Sequence, residues 1–495
     1  MADVSNGTVE VETCDLCIIG AGIAGLNALF VAAQYLASTD KVILIDRKGG
    51  PGGMWTEIYD YARLHQPHPA FTVGDMSWGW SRPAHYLSTG AEVAAHLAAC
   101  FTQLRDKVNL VDYFAHTATR CDEVSVGEGR TAVRVEIHPN DAPERRRIIT
   151  AKKVIRAIGF DIPALEPLPL QSNYVLSTTP QRLSADGVFD TRAPVYIVGG
   201  GKTGMDTAHA LVERTPRRRI TLLNGNGTVF ANRDILAPAG MRTWWRGRLF
   251  TSIFRDLAMR FDGTNADDVF DHFRTTSSVS LDPSDKQFFF GILSEAEVDE
   301  LDWGLDQIVN DYLEDVVDGD RGTMAVLRGG GRLPVVPGSI FVNCTGHMLR
   351  HNHPYEPYLS ERGAVLSITP RSMTHFLTSM AGYLLSHLFL SDTLKDAELY
   401  ALDGEALRRQ GGHIYQTSLF SLTFLNTIIA HEALPFRAMN RCGLDFDRIY
   451  PLHRRVPAMI DVKRNGSRYV KHCRTSLDRV RDTYGVQCGP LKMAA

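Results

Sequence analysis

The 495-residue chain lacks an excess of charge of either sign: 53 Lys and Arg stand against 56 Asp and Glu, for a formal net charge of -3. That balance leaves no basic footprint for nucleic acid and no charge block that would act as an interaction tail. Cysteine is scarce and scattered, eight residues in all, which reads as free thiols in a reducing compartment and excludes a disulfide framework. Cys14 and Cys17 have redox spacing, but they fall in a predicted strand, where residues three apart point to opposite faces. No other close-spaced cysteine pair occurs after them. Long apolar runs are missing too. The stretch Phe376 to Leu390 is broken by Thr378, Ser379, Ser386 and His387 and falls short of a membrane span. The segment Met1 to Thr13 is polar and acidic, without the basic and then apolar order of a secretory signal, so a cytoplasmic location is the expectation. His351 and His353 have no cysteine or carboxylate pattern beside them, and no metal site is expected.

What the chain does have is two glycine-rich turns, Gly20-Ala21-Gly22-Ile23-Ala24-Gly25 and Gly199-Gly200-Gly201-Lys202-Thr203-Gly204. The first comes after the apolar run Leu16 to Ile19 and opens the apolar stretch Leu26 to Leu36; the second lies between Val195 to Val198 and Met205 to Val212. Strand, tight turn and helix in that order are what a dinucleotide pyrophosphate requires. The first glycine permits the turn, the second lets backbone approach the anion, and the third lets helix pack on strand, with the helix amides aimed at the phosphates. One such site needs a partner substrate, whereas two suggest one cofactor reducing another. Gly201-Lys202-Thr203 resembles the end of a Walker loop, but that motif needs a glycine where Tyr196 stands, which excludes an NTPase reading.

The two turns differ in the residues downstream of them. About 20 residues beyond the first, Lys41 to Ile45 lead to Asp46, with Arg47 beside it, a carboxylate placed for ribose hydroxyls. That suits FAD or NAD. The same count in the second unit reaches Asn224, with Arg218, Arg219 and Arg233 close in sequence. A missing carboxylate and several arginines suit a 2′-phosphate, so NADPH is expected there, with Lys202 and Thr203 at the turn.

Gly49-Gly50-Pro51-Gly52-Gly53-Met54-Trp55 is a flexible loop ending in a large aromatic, placed to cover the first cofactor. The stiff segment Arg63-Leu64-His65-Gln66-Pro67-His68-Pro69 comes next, and His65 and Gln66 are its candidates to face the reacting ring. Alternation through 115–150 predicts a β-meander ahead of Lys153 to Gly159. Prolines 163, 167 and 169 mark an exit from the first domain. Ser294 and Glu297 form a capping-box signature ahead of a helix expected through Asp315, and 244–317 reads as a largely helical insertion. Trp244 and Trp245 are candidates to wall a pocket or to pack, and Asp206 reads as a carboxylate favourable to a helix start. The strand Ser339 to Asn343 leads to Cys344-Thr345-Gly346-His347. The expected fold is α/β, with two dinucleotide-binding domains of the Rossmann kind, a helical insertion and a helical C-terminal region. Its boundaries are 1–168 and 337–495 for the first unit and 169–336 for the second.

The ordered strings Gly20 to Gly25, Gly52-Gly53-Met54-Trp55, Ala157-Ile158-Gly159, Gly199 to Gly204 and Cys344 to His347 resemble those of the two-dinucleotide-binding flavoproteins. Within these they are most similar to the class B flavin monooxygenases, which include N-hydroxylating and Baeyer–Villiger enzymes. The resemblance implies FAD at the first turn and NADPH at the second, with O2 and a small organic molecule as co-substrates. It further implies an oxygen atom delivered from a flavin C4a-(hydro)peroxide that NADP⁺ shields from water. Cofactor contacts would come from Gly20, Gly22, Gly25, Asp46, Arg47, Gly53, Trp55, Gln66, Gly199, Gly201, Lys202, Thr203, Gly204, Asn224, Arg233 and Gly346. Gln66 and His65 would face the flavin, and Arg233 would steady the nicotinamide nucleotide. Such enzymes commonly carry an aromatic, glycine, histidine and tryptophan fingerprint in the linker, whereas Gln171 to Pro180 has neither histidine nor tryptophan. Two alternatives therefore stand beside the monooxygenase: an NADPH-dependent flavin reductase or dehydrogenase with an organic or protein acceptor, and a non-enzymatic redox sensor. A homodimer is the default assembly.

Overall fold

The computed structural model describes residues 10–127, 130–160, 164–346 and 354–491. His347, His351 and His353 lie outside the described residues. Two sheets organise the chain, one mixed with a parallel core and one parallel, each built around one glycine turn. The first contains β1 (Glu10–Ile19), β2 (Lys41–Asp46), β3 (Asn109–Phe114), β4 (His116–Ser125), β5 (Thr131–Pro139) and β6 (Arg147–Arg156) in the order β3-β2-β1-β6-β5-β4. The strand Val365–Ser367 also pairs with β6 in parallel. Leu16 to Ile19 and Val42 to Asp46 are buried throughout, the signature of parallel strands covered on both faces. Helix α1 (Ile23–Tyr35) and helix α2 (Gly90–Arg105) contribute to that cover. Thr89 and Glu92 start α2 with a reciprocal capping box: Thr89 Oγ1 accepts from the Glu92 amide at 3.2 Å and Glu92 Oε2 from the Thr89 amide at 2.9 Å.

The meander is present, but its last strand is continuous with the run Lys153 to Arg156. β6 is one strand that pairs antiparallel with β5 and parallel with β1, so it joins the meander to the nucleotide-binding core. Its length explains the difference: alternation in the outer half and the adjacent buried pair Val154 and Ile155 in the inner half look like two segments in sequence.

The second sheet is parallel. It includes β7 (Leu176–Thr178), β8 (Val195–Val198) and β9 (Ile220–Leu223), in the order Gln307–Val309, β9, β8, Ile340–Asn343, β7. Helix α3 (Lys202–Arg214) packs on it. The region 244–317 is more mixed than its sequence suggests. Helices Phe250–Arg260 and Ala266–Ser277 are there, but strands Ser278–Ser280, Gln287–Leu293, Gln307–Val309 and Leu313–Gly319 share the region with them. The helix that begins at the Ser294–Glu297 capping box ends at Gly304, not Asp315. Gly304 packs against Val212 of α3, and the chain then turns to enter the second sheet, so tertiary pairing overrides local propensity.

After Arg371 the chain returns to the first unit as buried helices. In Thr378–Leu390, Gly382 lies against α1, where a Cβ would stand 2.9 Å from the Ala24 carbonyl oxygen. The longest helix, Leu452–Tyr484, contains Pro457 in its second turn and ends at Gly485, whose φ of 63° is left-handed. Among the described residues no helix is long and apolar enough to cross a membrane. All eight cysteines are free, with Cys14 and Cys17 buried in β1.

Candidate dinucleotide sites and the junction between them

The two glycine turns repeat one geometry. Gly20 has φ 109° and lies against the Ala157 carbonyl just past β6; Gly199 has φ 116°, and a Cβ on it would stand 2.7 Å from the Cys344 carbonyl oxygen just past Ile340–Asn343. Each turn therefore sits where its sheet reverses strand order, the place where open α/β sheets bind ligands. Any side chain on Gly25 would overlap the Gly20 carbonyl, and any on Gly204 the Gly199 carbonyl. These are the third glycines of the motif, kept bare by helix packing on strand. Gly22 and Gly201 instead precede α1 and α3 as N-caps with no side-chain hydrogen bond, leaving first-turn amides free for an anion.

Around the first turn the sequence-predicted residues converge. Asp46 ends β2 and accepts from the Ala21 amide at 2.6 Å and the Lys48 amide at 2.7 Å, which aims its carboxylate at the turn. The Gly52 amide donates to the Ala21 carbonyl at 3.0 Å, and a Cβ on Gly53 would stand 2.8 Å from Gly22 Cα. The glycine loop thus closes over the turn, in keeping with its composition. Trp55 is half-buried and packs edge-on against Phe71, ring centroids 5.5 Å apart. Arg47 is exposed, and its carbonyl accepts from Asn140.

The second turn differs in its partners. Asn224, buried at the end of β9, stands against Gly200 and donates to Asp285 Oδ1 at 3.2 Å and Asn310 Oδ1 at 3.0 Å. Burial, with Asp282 nearby, pushes the Asp285 carboxyl up to about 6. Gly346 lies beyond Cys344, with open space where a side chain would be. Arg218 and Arg219 do not reach this place. They precede β9, five to six residues from Asn224, so at strand rise they lie about 16 Å or more away. Arg218 is spent inside the fold, donating to the Ala193 and Val188 carbonyls and Thr191 Oγ1 at 2.7, 2.6 and 3.0 Å. Nearness in sequence does not tell which end of a strand a residue occupies.

The structure offers a different cation, one the sequence does not single out. The Asn224–Gly225 turn is held to the neighbouring loop by Gly225 N donating to Asp311 O at 3.1 Å, and Tyr312 packs on Gly225. The Arg328 guanidinium lies 4.4 Å from the Tyr312 ring centre, exposed and without an ion-pair partner among the described residues. It comes from a hairpin far down the chain, and no local motif announces it.

Between the sites, His65, Gln66, Lys202 and Arg233 come together. Arg233 donates to the His65 carbonyl at 3.0 Å and Ser294 Oγ at 3.2 Å, and pairs with Glu297. Its guanidinium is therefore bound within the protein, not held out to a nucleotide. Burial raises the Glu297 carboxyl, but Arg233 and the Ser294 amide outweigh it and hold Glu297 below its ordinary range. Burial, then Lys202 and Arg233, depress His65 to about 3, so its ring is neutral. Lys202 pairs with Asp206, which also accepts from the Tyr59 hydroxyl at 2.8 Å. Asp206 thus ties the first unit to α3 in addition to any helix-dipole role. Gln66 is buried, and its Oε1 has no hydrogen-bond partner among the described residues. A buried acceptor in that state costs about 1–3 kcal/mol, which a bound ligand with a donor would recover. Ser88 Oγ and the Trp78 and Trp80 indole nitrogens are also buried without partners among the described residues, and no sequence pattern marks these three. The Leu64 amide donates to the Ser88 carbonyl at 2.8 Å, which places Ser88 beside the Gln66 segment.

Trp244 and Trp245 neither wall a pocket nor pack inside: they are 53% and 65% exposed. Among the described residues no group of three His, Cys, Asp or Glu side chains converges as a metal site would.

Comparison with known proteins agrees with this geometry. Residues 14–239 match the family described as pyridine nucleotide-disulphide oxidoreductase. A cyclohexanone-bound cyclohexanone monooxygenase superposes with a TM-score of 0.52 at 11% identity, covering 86% of this chain and 98% of that one. A steroid monooxygenase bound to NADP gives 0.52 at 14%, covering 85% and 98%. The chain shares the fold of these two structures. Uncharacterized proteins of Mycobacterium bovis and Mycobacterium tuberculosis are each 27% identical over 359 residues, covering 69% of this chain. The match spans 62% of those relatives' length, less than two thirds.

Proposed function

We propose that this protein is an FAD- and NADPH-dependent oxidoreductase acting as a monooxygenase on a small organic substrate. The observation that carries the reading is the pair of glycine turns, each at the strand-order reversal of its own sheet, with Gln66 and His65 at the junction between them. The residues suit both cofactors: the Gly20 and Gly199 cradles exclude a Cβ, and Gln66 Oε1 lacks a partner among the described residues. The FAD-binding unit would comprise 1–168 and 337–495, and the NADPH-binding unit 169–336. When bound, FAD would take electrons from NADPH and use O2 to oxygenate the substrate, chemistry that belongs to the cofactor.

The chain's own residues bind, orient and exclude water. The first-turn amides of α1 and α3 hold the pyrophosphates, and Asp46 accepts from the adenosine ribose of FAD. Arg328, stacked on Tyr312 beside Gly225, supplies the charge for a 2′-phosphate that Arg218 and Arg219 cannot. Gln66 Oε1 would supply an acceptor for a donor on the flavin ring. Neutral His65 lies between Lys202 and Arg233 without adding a charge to the junction, and the Arg233–Glu297 pair holds the His65–Gln66 backbone in place. No acid–base triad is required of the protein.

The linker 171–180 supports the second reading, a reductase with an organic or protein acceptor, because it departs from the monooxygenase pattern. NADPH oxidation, oxygen uptake and hydrogen peroxide release, measured together across a panel of amines, thioethers and ketones, distinguish the two. A monooxygenase couples NADPH to oxygenated product for at least one compound, with peroxide falling as product rises. Oxygen-independent turnover with a quinone acceptor, and no oxygenated product from any compound, would establish the reductase instead.

A further inference from the structure

One surface belongs to neither dinucleotide site. The short helical turn Gly240–Trp244 and Trp245 after it present Met241, Trp244 and Trp245 to solvent. Beside them, the first turns of the helix Leu452–Tyr484 expose Leu452, Val456, Met459 and Ile460. Those positions recur at i, i+4, i+7 and i+8, so they form one apolar stripe along the helix. The two strips are joined into one face. Arg454 donates to the Thr243 and Gly247 carbonyls at 3.1 and 2.8 Å, His453 Nε2 lies 3.3 Å from the Trp244 carbonyl, and the Trp244 and His453 rings are 5.4 Å apart. Exposed tryptophans, together with an apolar helix face, are more than scattered surface hydrophobics and mark an interaction surface.

The charge around this face has one sign. Segments 239–246 and 451–460 contain no Asp or Glu. Arg242, Arg246, Lys463 and Arg464 are exposed and have no ion-pair partner among the described residues. The carboxylates close to these segments along the chain are engaged: Asp461 pairs with Arg255 and Asp445 with Arg455, Asp447 is buried and accepts from the Phe250 and Thr251 amides, and Asp234 accepts from the Glu295 amide. A second copy is a poor occupant, because two-fold packing would bring these cations toward their own counterparts with no carboxylate between them. An anionic lipid surface satisfies every part of the face. Indoles settle at the headgroup boundary, the aliphatic stripe enters the acyl edge, and the Arg and Lys side chains meet phosphates.

We propose that this face docks the protein peripherally on an anionic membrane, with Trp244, Trp245 and the Leu452–Ile460 stripe inserted and Arg242 and Arg246 on the headgroups. The inference stands apart from the redox reading, since it uses none of the cofactor residues.

Flotation of the full flavin-loaded chain with phosphatidylcholine vesicles, and with vesicles that also contain phosphatidylglycerol, tests it. The protein should float with the anionic vesicles and stay behind with phosphatidylcholine alone. Each arginine near the surface contributes about fivefold, so Arg242→Gln with Arg246→Gln should weaken binding roughly 25-fold, and added salt should act in the same direction. Trp244→Ser with Trp245→Ser should abolish flotation while leaving the circular dichroism spectrum and flavin content unchanged, because these side chains support nothing inside. Failure to bind anionic vesicles, or binding that the tryptophan substitutions leave intact, overturns the proposal. So does a dimer in light scattering that those substitutions dissociate when vesicles capture nothing, which would make the face a self-association surface.

Discussion

Removing both partners of the Arg233–Glu297 pair should cost clearly less than the sum of the two single removals. The side chains are 12% and 19% exposed, so each charge depends on the other for most of its stabilisation. Arg233→Met leaves the Glu297 carboxylate in a desolvated place with only Ser294 as a hydrogen-bonding partner. Glu297→Gln leaves the guanidinium with the His65 carbonyl and Ser294 Oγ. Breaking a buried pair from one side costs 3–5 kcal/mol; with some solvent reaching both groups, the low end, about 3 kcal/mol, is expected for each single variant. The double variant removes both charges and should lose less than the sum, leaving a coupling energy of about 2 kcal/mol. Urea unfolding of the flavin-loaded protein, followed by circular dichroism, gives all four corners of the cycle. Arg233→Met should also slow flavin reduction by NADPH, because the His65 carbonyl loses its donor and the adjoining Gln66 is no longer held. Additivity within about 0.5 kcal/mol, with reduction rates unchanged, would refute the argument that this pair organises the junction.

Other expectations rest on single features. Arg328→Ala should raise the KM for NADPH by about tenfold or more, the scale of a hydrogen bond to a charged group, and leave NADH kinetics unchanged; equal effects on both would remove Arg328 from the 2′-phosphate. Gln66→Leu should leave the cofactor-free protein as stable as before or more so, since the Oε1 it removes has no partner among the described residues. The same variant should perturb the visible spectrum and oxygen reactivity of bound flavin, and an unaltered spectrum counts against contact. His375 Nδ1 accepts from the Leu377 amide at 3.0 Å, and burial lowers its pKa to about 3. Against an unfolded value of about 6.5, the native state refuses a proton that the unfolded chain takes. Its contribution is therefore present above pH 6.5 and lost as pH falls toward 3, with a slope of up to about 1.4 kcal/mol per pH unit. His375→Gln should flatten the acid side of the stability profile, and an unchanged slope would contradict the assignment.

The glycine turns are legible in sequence because their demand is steric and local: a Cβ at Gly25 or Gly204 meets backbone only a few residues away. Asp46 is legible for the same reason, since strand and turn lengths fix its distance from the turn. The Ser294–Glu297 cap is readable from a four-residue pattern, but the end of its helix is not, because Gly304 and the pairing of Gln307–Val309 with β9 set it. Arg218 misleads because charge and proximity along the chain do not say which end of a strand faces the crevice. Arg328 reaches Tyr312 through a hairpin whose packing no spacing encodes. Trp244 and Trp245 resemble pocket or packing residues in sequence because large aromatics usually are, and only the folded chain reveals their exposure.

The most direct test of the two-cofactor account is anaerobic mixing of the flavin-loaded protein with NADPH in a stopped-flow spectrometer, for wild type and for Gly204→Ala. Gly204→Ala pushes α3 off the Gly199 carbonyl without touching the first turn, so flavin content should stay at the wild-type level. The account predicts rapid loss of flavin absorbance in the wild type and loss slowed by orders of magnitude in the variant. Wild-type flavin that NADPH does not reduce, or a variant that reduces as fast as wild type, would contradict it.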